Sequence, residues 1–329
     1  MSRRHPVALA MLMILWVAAA SAADGVVRIA FVGDVMLAES ERTGEVAAEG
    51  GDPFAHVRGL LATADLRVAN FESSAGTQGR PDAEKPFSFR TAQPALRVFA
   101  SVFEIAGLAN NHAGDFGRED FAETLSALQA AGVQTFGGGR DLKTAHRALM
   151  IERKGVRTAL LGYLDFFPRW FAATPGGAGV AWLDTDQAAL DIARARRDGA
   201  DVVLVVPHWG VEHEPRAHDR QRAAARALLA AGADAVIGGH PHVVQDHEIH
   251  KGKPVLYSLG NFVFDGFEDE DNNTGWVVFA DIDWRGVVSV TTHVVKIDAA
   301  GSPVPDPGRA GPCWQRGEAA MSPCTKARP

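Results

Sequence analysis

Five apolar runs in this chain each end in a cluster of Asp, Asn, Glu or His, and that recurrence limits the fold more than any other property. Val26 to Val32 leads into Gly33-Asp34, and Leu66 to Ala69 into Asn70-Phe71-Glu72. Ile105 to Leu108 leads into Asn110-Asn111-His112, Val202 to Val206 into His208-Trp209-Gly210, and Ala235 to Ile237 into Gly239-His240-Pro241-His242. The runs are nearly continuous rather than alternating, which is the pattern of strands buried on both faces. Open α/β sheets gather their sites at strand carboxyl ends. All five clusters fall at such ends, so the pattern predicts one convergent site.

Between the runs lie stretches with helical spacing. These are Pro53 to Ala62, a short helix from Pro94, Phe116 to Ala131 stopping at Gly132, Asp186 to Arg197, and Asp219 to Ala231. Ala148 to Glu152 and Val156 to Tyr163, joined through Lys154-Gly155, read as a hairpin, and Val255 to Leu259 as a further strand. Trp276 to Ile282 with Val287 to Ile297 reads as a closing antiparallel pair. Two mixed sheets packed face to face with helices outside, a four-layer α/β/β/α sandwich, accommodate this order. From Ala299 onward the chain is Pro/Gly-rich and reads as a poorly ordered tail.

The first residues have the three parts of a secretory signal peptide: Arg3 and Arg4, the apolar run Val7 to Ala20, and Ala20-Ser21-Ala22. Cleavage after Ala22 is expected, giving a periplasmic or extracellular protein; an uncleaved leader would tether it to the membrane. The formal charge is −7, and losing Arg3 and Arg4 makes it −7 − 2 = −9. No Lys/Arg-rich run accompanies this balance, which argues against nucleic acid as a partner. The two cysteines, Cys313 and Cys324, can pair in an exported chain.

The clusters supply carboxylates, imidazoles and neutral amide oxygens but no thiolate. That donor set suits one or two divalent ions such as Mn, Fe or Zn. Asp34, Glu72, Asn111, His208, His240 and His242 together could hold two cations about 3.5–4 Å apart, the spacing used to activate a hydroxide and neutralise a phosphoryl group. Each residue also has an ordinary reading. Asp34 after Gly33 could cap a turn, Asn110 could bond backbone, Trp209 could pack, Glu212 could support a ligand histidine or stand in solvent, and the histidines could be satisfied loop residues.

The motifs Gly33-Asp34-Val35-Met36, Asn70-Phe71-Glu72-Ser73, Leu108-Ala109-Asn110-Asn111-His112 with Asp115, His208-Trp209-Gly210 with Glu212, Gly239-His240-Pro241-His242 and Ser258-Leu259-Gly260-Asn261-Phe262 occur in this order. In that order the chain resembles the CapA family of capsule and poly-γ-glutamate synthesis proteins (PGA_cap), a branch of the calcineurin-like metallophosphoesterases. The resemblance implies the sandwich fold over Val27 to Val295. It implies Asp34 and His242 on a first metal, Glu72 as the bridging carboxylate, and Asn111, His208 and His240 on a second. It implies His112 as proton donor or phosphate clamp, oriented by Asp115. Asn261 would line the mouth of the site, and Asn70, Asn110, Trp209 and Glu212 are further candidates for substrate contact. Met36 stands where the superfamily usually carries a histidine, which leaves the first metal site with fewer ligands.

The expected function is therefore an exported metal-dependent hydrolase, in which a metal-activated hydroxide attacks a phosphoester during capsule, poly-γ-glutamate or other envelope-polymer biosynthesis. Its expected partners are that polymer or a phosphoester substrate, and a polymer-synthesis complex at the membrane. The alternative is a non-catalytic metal-binding accessory protein for poly-γ-glutamate synthesis or export.

Overall fold

The computed structural model describes residues 25–324 apart from 41–43, 46–50, 82, 84, 265 and 266. The expected signal peptide lies outside the described residues. Among the described residues, ten strands form one large sheet and six form a second. The large sheet runs in the order Ser322–Pro323, Pro312–Gln315, Gly286–Ile297, Thr274–Asp283, Val27–Val35, Leu66–Phe71, Ile105–Gly107 and Gln134–Phe136. Asn261–Val263 adds to the first strand in parallel, and Pro303–Ala310 adds to Gly286–Ile297 in antiparallel fashion. The second sheet runs His247–His250, Lys253–Leu256, Ala235–Ile237, Val202–Trp209, Val156–Asp165 and Leu149–Arg153.

Side-chain alternation along the strands builds the layers. On Val27–Val35, Ile29 and Phe31 point into the layer between the sheets, where they join Leu204, Ile237 and Leu256 of the second sheet. Ala30 and Val32 point the other way, into a core shared with Leu61, Leu96, Phe99, Phe121 and Leu128 from the helices Arg58–Leu61, Gln93–Ala100 and Arg118–Ala130. On the far side, Val203, Val205 and Val236 pack on Ile192 and Leu228 of Thr185–Arg197 and Asp219–Ala230. The order is helix, sheet, sheet, helix, an α/β/β/α sandwich. The Lys154-Gly155 turn has positive φ at both residues, 48° and 78°. That is the type I′ geometry whose twist suits a two-residue hairpin.

Beyond Ala299 the chain departs from the expected tail. Pro303–Ala310 and Pro312–Gln315 both pair with Gly286–Ile297. Trp314 is buried in the layer between the sheets, and Cys313 is joined to Cys324 by a disulfide. Proline and glycine in this segment are tolerated because these strands sit at the sheet's edge, where a missing N–H leaves no gap in a ladder. The composition therefore marks an edge rather than disorder. Two further strands, His247–His250 and Asn261–Val263, were also not expected. Neither run is long enough to stand out by periodicity, and each is held by its neighbour's hydrogen bonds.

Candidate metal centre

Register brings the first two clusters together. Asp34 lies opposite Asn70 on one side and Asn261 on the other, on three parallel strands. Asn70 Nδ2 then donates to Asp34 Oδ1 (2.8 Å) and to Glu72 Oε2 (3.1 Å), so one amide holds both carboxylates in place. A glycine precedes the aspartate for a spatial reason. A Cβ on Gly33 would sit 1.9 Å from the carbonyl oxygen of Gly260, which accepts from Asp34 N. Gly239 has the same function opposite, since its Cβ would come within 2.9 Å of Asp34 Oδ1.

The imidazoles arrive from the second sheet. His208 ends the strand Val202–Trp209, and Nδ1 lies 3.9 Å from Asp34 Oδ1 while Nε2 lies 3.5 Å from Glu72 Oε1 and 2.8 Å from Asn111 Oδ1. His242 places Nδ1 3.5 Å from Asp34 Oδ2 and Nε2 3.9 Å from Glu72 Oε1. His240 sits with its ring 4.8 Å from that of His208, and its backbone N–H donates to Asp34 Oδ2 (3.3 Å). Both His240 (φ 98°) and His242 (φ 58°) lie in the left-handed region, at a cost of about 1–3 kcal/mol each. Strain of this kind is held where the rest of the structure over-determines the backbone, and here it accompanies a His242 ring set against both carboxylates and a His240 ring set against those of His208 and His242.

The electrostatics reflect this crowding. Burial, reinforced by the neighbouring charge of Glu72, pushes the Asp34 carboxyl up to about 6. Burial would raise Glu72 too, but His208 and His242 outweigh it and hold that carboxyl well below the ordinary range. Burial and the other imidazoles press His240 well below the usual histidine value. For His242 burial is outweighed by Glu72 and Asp34, which raise it.

Two atoms in this cluster, Glu72 Oε1 and His240 Nδ1, are buried without a hydrogen-bond partner. Buried polar atoms are nearly always satisfied, and an orphaned carboxylate oxygen costs about 1–3 kcal/mol or more. Ligand atoms of Asp34, Glu72 and His208 all lie within 4.8 Å of one another. A buried carboxylate oxygen with no close donor, facing imidazole nitrogens 3.5 Å and 3.9 Å away, is one that a divalent cation would satisfy. The residues fit a divalent ion.

His112 stands beside this cluster. Nδ1 pairs with Asp115 Oδ2 at 2.8 Å, which leaves Nε2 as the nitrogen for a ligand. Asp115 also accepts from Phe89 N (2.7 Å) and from Lys85 Nζ, and Lys85 Nζ donates to the Asn111 carbonyl (2.8 Å) as well. Lys85 lies in a loop rich in Gly, Pro and charged residues, where no motif marks it as part of the site.

The residues expected to touch substrate divide. Asn110 is fully buried and donates to Asn70 Oδ1 and the Phe71 carbonyl (both 2.9 Å). Trp209 is buried with Nε1 donating to the Tyr257 carbonyl. Asn261 is buried, and Oδ1 meets His242 Nδ1 at 2.8 Å. Asn110 and Asn261 are thus tied to neighbouring residues of the cluster, and Trp209 packs on Tyr257. Asn70 is half-buried among the carboxylates, and Glu212 is exposed.

The family model described as Bacterial capsule synthesis protein PGA_cap matches residues 28–266. The chain belongs to this family. PGA biosynthesis protein CapA of Bacillus subtilis (strain 168) is 34% identical over 247 residues, covering 74% of this chain and 64% of that one. Capsule biosynthesis protein CapA of Bacillus anthracis is 32% identical over 243 residues, covering 71% and 59%. The chain thus spans about three fifths of the length of these PGA_cap relatives. Among solved structures, calcineurin-like phosphoesterase YfkN from Bacillus subtilis is similar with a TM-score of 0.49 and 15% identity, over 78% of this chain and 85% of that one.

Proposed function

We propose that this PGA_cap protein is an exported, metal-dependent hydrolase that cleaves a phosphoester during synthesis of a capsule or envelope polymer such as poly-γ-glutamate. The observation that carries the proposal is the buried Glu72 Oε1, left without a donor between His208 and His242. Asp34, Glu72 and His242 would hold one divalent ion, and Glu72, Asn111, His208 and His240 a second. Mn, Fe and Zn all suit this nitrogen and oxygen set. When bound, such ions supply Lewis acidity and lower the pKa of water.

The chain's own residues do the rest. Asn70 keeps the two carboxylates from turning away from each other. Asp115 fixes the His112 ring, so that Nε2 can give a proton to the departing oxygen or hold a non-bridging one. Lys85 neutralises Asp115 and ties the loop that carries it to the Asn111 backbone. Export would place Cys313 and Cys324 where a disulfide persists.

Met36 favours a second reading, a non-catalytic accessory protein. Its side chain is buried against Ala38 and Phe264, so the position that usually carries a histidine in the superfamily would supply no ligand to a first ion. One experiment separates the two. Manganese-loaded full-length protein and its His112→Ala variant are assayed on bis-p-nitrophenyl phosphate, with metal content measured in the same samples. Turnover that disappears in the variant at unchanged metal content supports the hydrolase; bound metal without turnover in either protein supports the accessory role.

A further inference from the structure

Beside the metal centre lies a small apolar cluster separate from the three cores. Its floor is Met36, Ala38 and Phe264, all buried, and its walls are the half-buried Phe89 and Phe267. The cluster touches the site directly. The Phe89 ring centre is 4.3 Å from that of His112, while Phe264 and Phe267 lie 4.8 Å and 5.6 Å from His242. Phe264 packs edge-on to Phe89 at 5.8 Å and tilted against Phe267 at 5.5 Å. Phe87 stacks on Phe89 at 6.4 Å and continues the row outward, with 66% of its surface exposed. The row thus runs from a dry floor at the ion ligands to a solvent-facing rim.

Shielding the ions from water would account for Phe89, Phe264 and Phe267. It does not account for Phe87, which meets no proposed ligand and spends most of its ring in water. A large exposed ring that extends an apolar surface beginning at a reactive site is the form of a ligand subsite. The position of Met36 fits as well, since the apolar residue in the histidine's place floors this row.

We infer that Phe87, Phe89, Phe264 and Phe267 form a subsite for an apolar, ring-like substituent carried by the anionic ligand, adjacent to the group held at the metal centre. The inference rests on the proposed metal site and specifies which ligands that site prefers. A fully solvated polyanion would leave Phe87 unused, whereas an aryl or similarly flat apolar group next to a phosphoryl group would cover it. Flat groups pair with Phe rings in offset or edge-on contact.

The test is calorimetric titration of the manganese-loaded full-length protein with phenylphosphonate and with methylphosphonate, which share an anion and differ only in the ring. The wild type is expected to bind phenylphosphonate about tenfold more tightly, the gain of a partly buried ring. Phe87→Ala is expected to bring the ratio close to one, and Phe87→Leu to keep most of it. Because Phe87 is exposed, neither substitution threatens folding. Methylphosphonate binding with no preference for the phenyl compound overturns the subsite while leaving the metal site standing, as does a preference that survives in Phe87→Ala. Failure of both phosphonates to bind manganese-loaded protein overturns the phosphoester reading of the metal site and the subsite with it.

Discussion

Asp34→Asn should leave the protein without manganese as stable as the wild type or more so, and should abolish its stabilisation by manganese. The reasoning starts from the charge. The Asp34 carboxyl is pushed up to about 6 from an ordinary 3.8 by burial and by Glu72. A group whose folded-state pKa is raised favours the folded state most at low pH, and that advantage is lost as pH rises through the folded value. At pH 8, with no ion present, keeping Asp34 ionised therefore costs about 3 kcal/mol. Asparagine removes this cost, but its amide N–H must face one of two donors that now serve the carboxylate, Asn70 Nδ2 or His240 N. That mismatch costs about 1–3 kcal/mol. The net effect runs from nothing to about 2 kcal/mol in favour of the variant, or up to about 4 °C in Tm for a chain of this size. Manganese at about a hundred times its Kd should stabilise the wild type by about 2.7 kcal/mol, or about 5 °C, and the variant hardly at all. Thermal melts at pH 8, in chelator and in manganese, read both quantities. A variant that melts several degrees below the wild type in chelator, or that keeps the full manganese shift, would refute the reasoning.

Three other expectations follow from the same structure. Trp314→Ala, which empties a buried indole site between the sheets, should cost about 3–5 kcal/mol in a denaturant melt; an unchanged midpoint would mean that the segment after Ala299 does not pack as described. Manganese affinity should weaken by up to about tenfold per pH unit below about 6, where proton and ion compete for Asp34, and a titration giving equal affinity at pH 7.5 and 5 would contradict this. Lys85→Gln should lower kcat on bis-p-nitrophenyl phosphate by about 10–100-fold at unchanged manganese content, with Lys85→Arg recovering part of it, because Lys85 acts through Asp115 on His112. Equal rates in the glutamine variant and the wild type would remove Lys85 from that chain of contacts.

The sandwich and the convergence of the polar clusters were legible in the sequence because both rest on local signals. A buried parallel strand needs an unbroken apolar run, and a residue at its end has nowhere to go but the common edge. The strand Ala235–Ile237 was readable to the residue for that reason. What was not legible depends on partners distant in sequence. Pro303–Ala310 is a strand only because Gly286–Ile297 offers an open edge, and its own composition resembles a linker. Lys85 gains its place from Asp115, thirty residues further on, and no feature of the loop around it points there. Asn110, Trp209 and Asn261 carried the right motifs, but motif position does not tell which side of the cluster a side chain takes. That depends on which neighbouring carbonyl or amide needs a partner. The aromatic row behaves likewise: Phe87, Phe89, Phe264 and Phe267 come from two separate loops, and only folding lines them up.

The claim on which the account depends is that a divalent ion occupies the space between Asp34, Glu72 and His208. Anomalous X-ray diffraction at the manganese absorption edge, from crystals of the full-length protein grown with manganese, tests it most directly. The account predicts an anomalous peak within bonding distance of Glu72 Oε1, the oxygen that has no donor of its own, and its loss in Glu72→Gln. Crystals with no peak among these three side chains, or with manganese bound only elsewhere on the molecule, would contradict it.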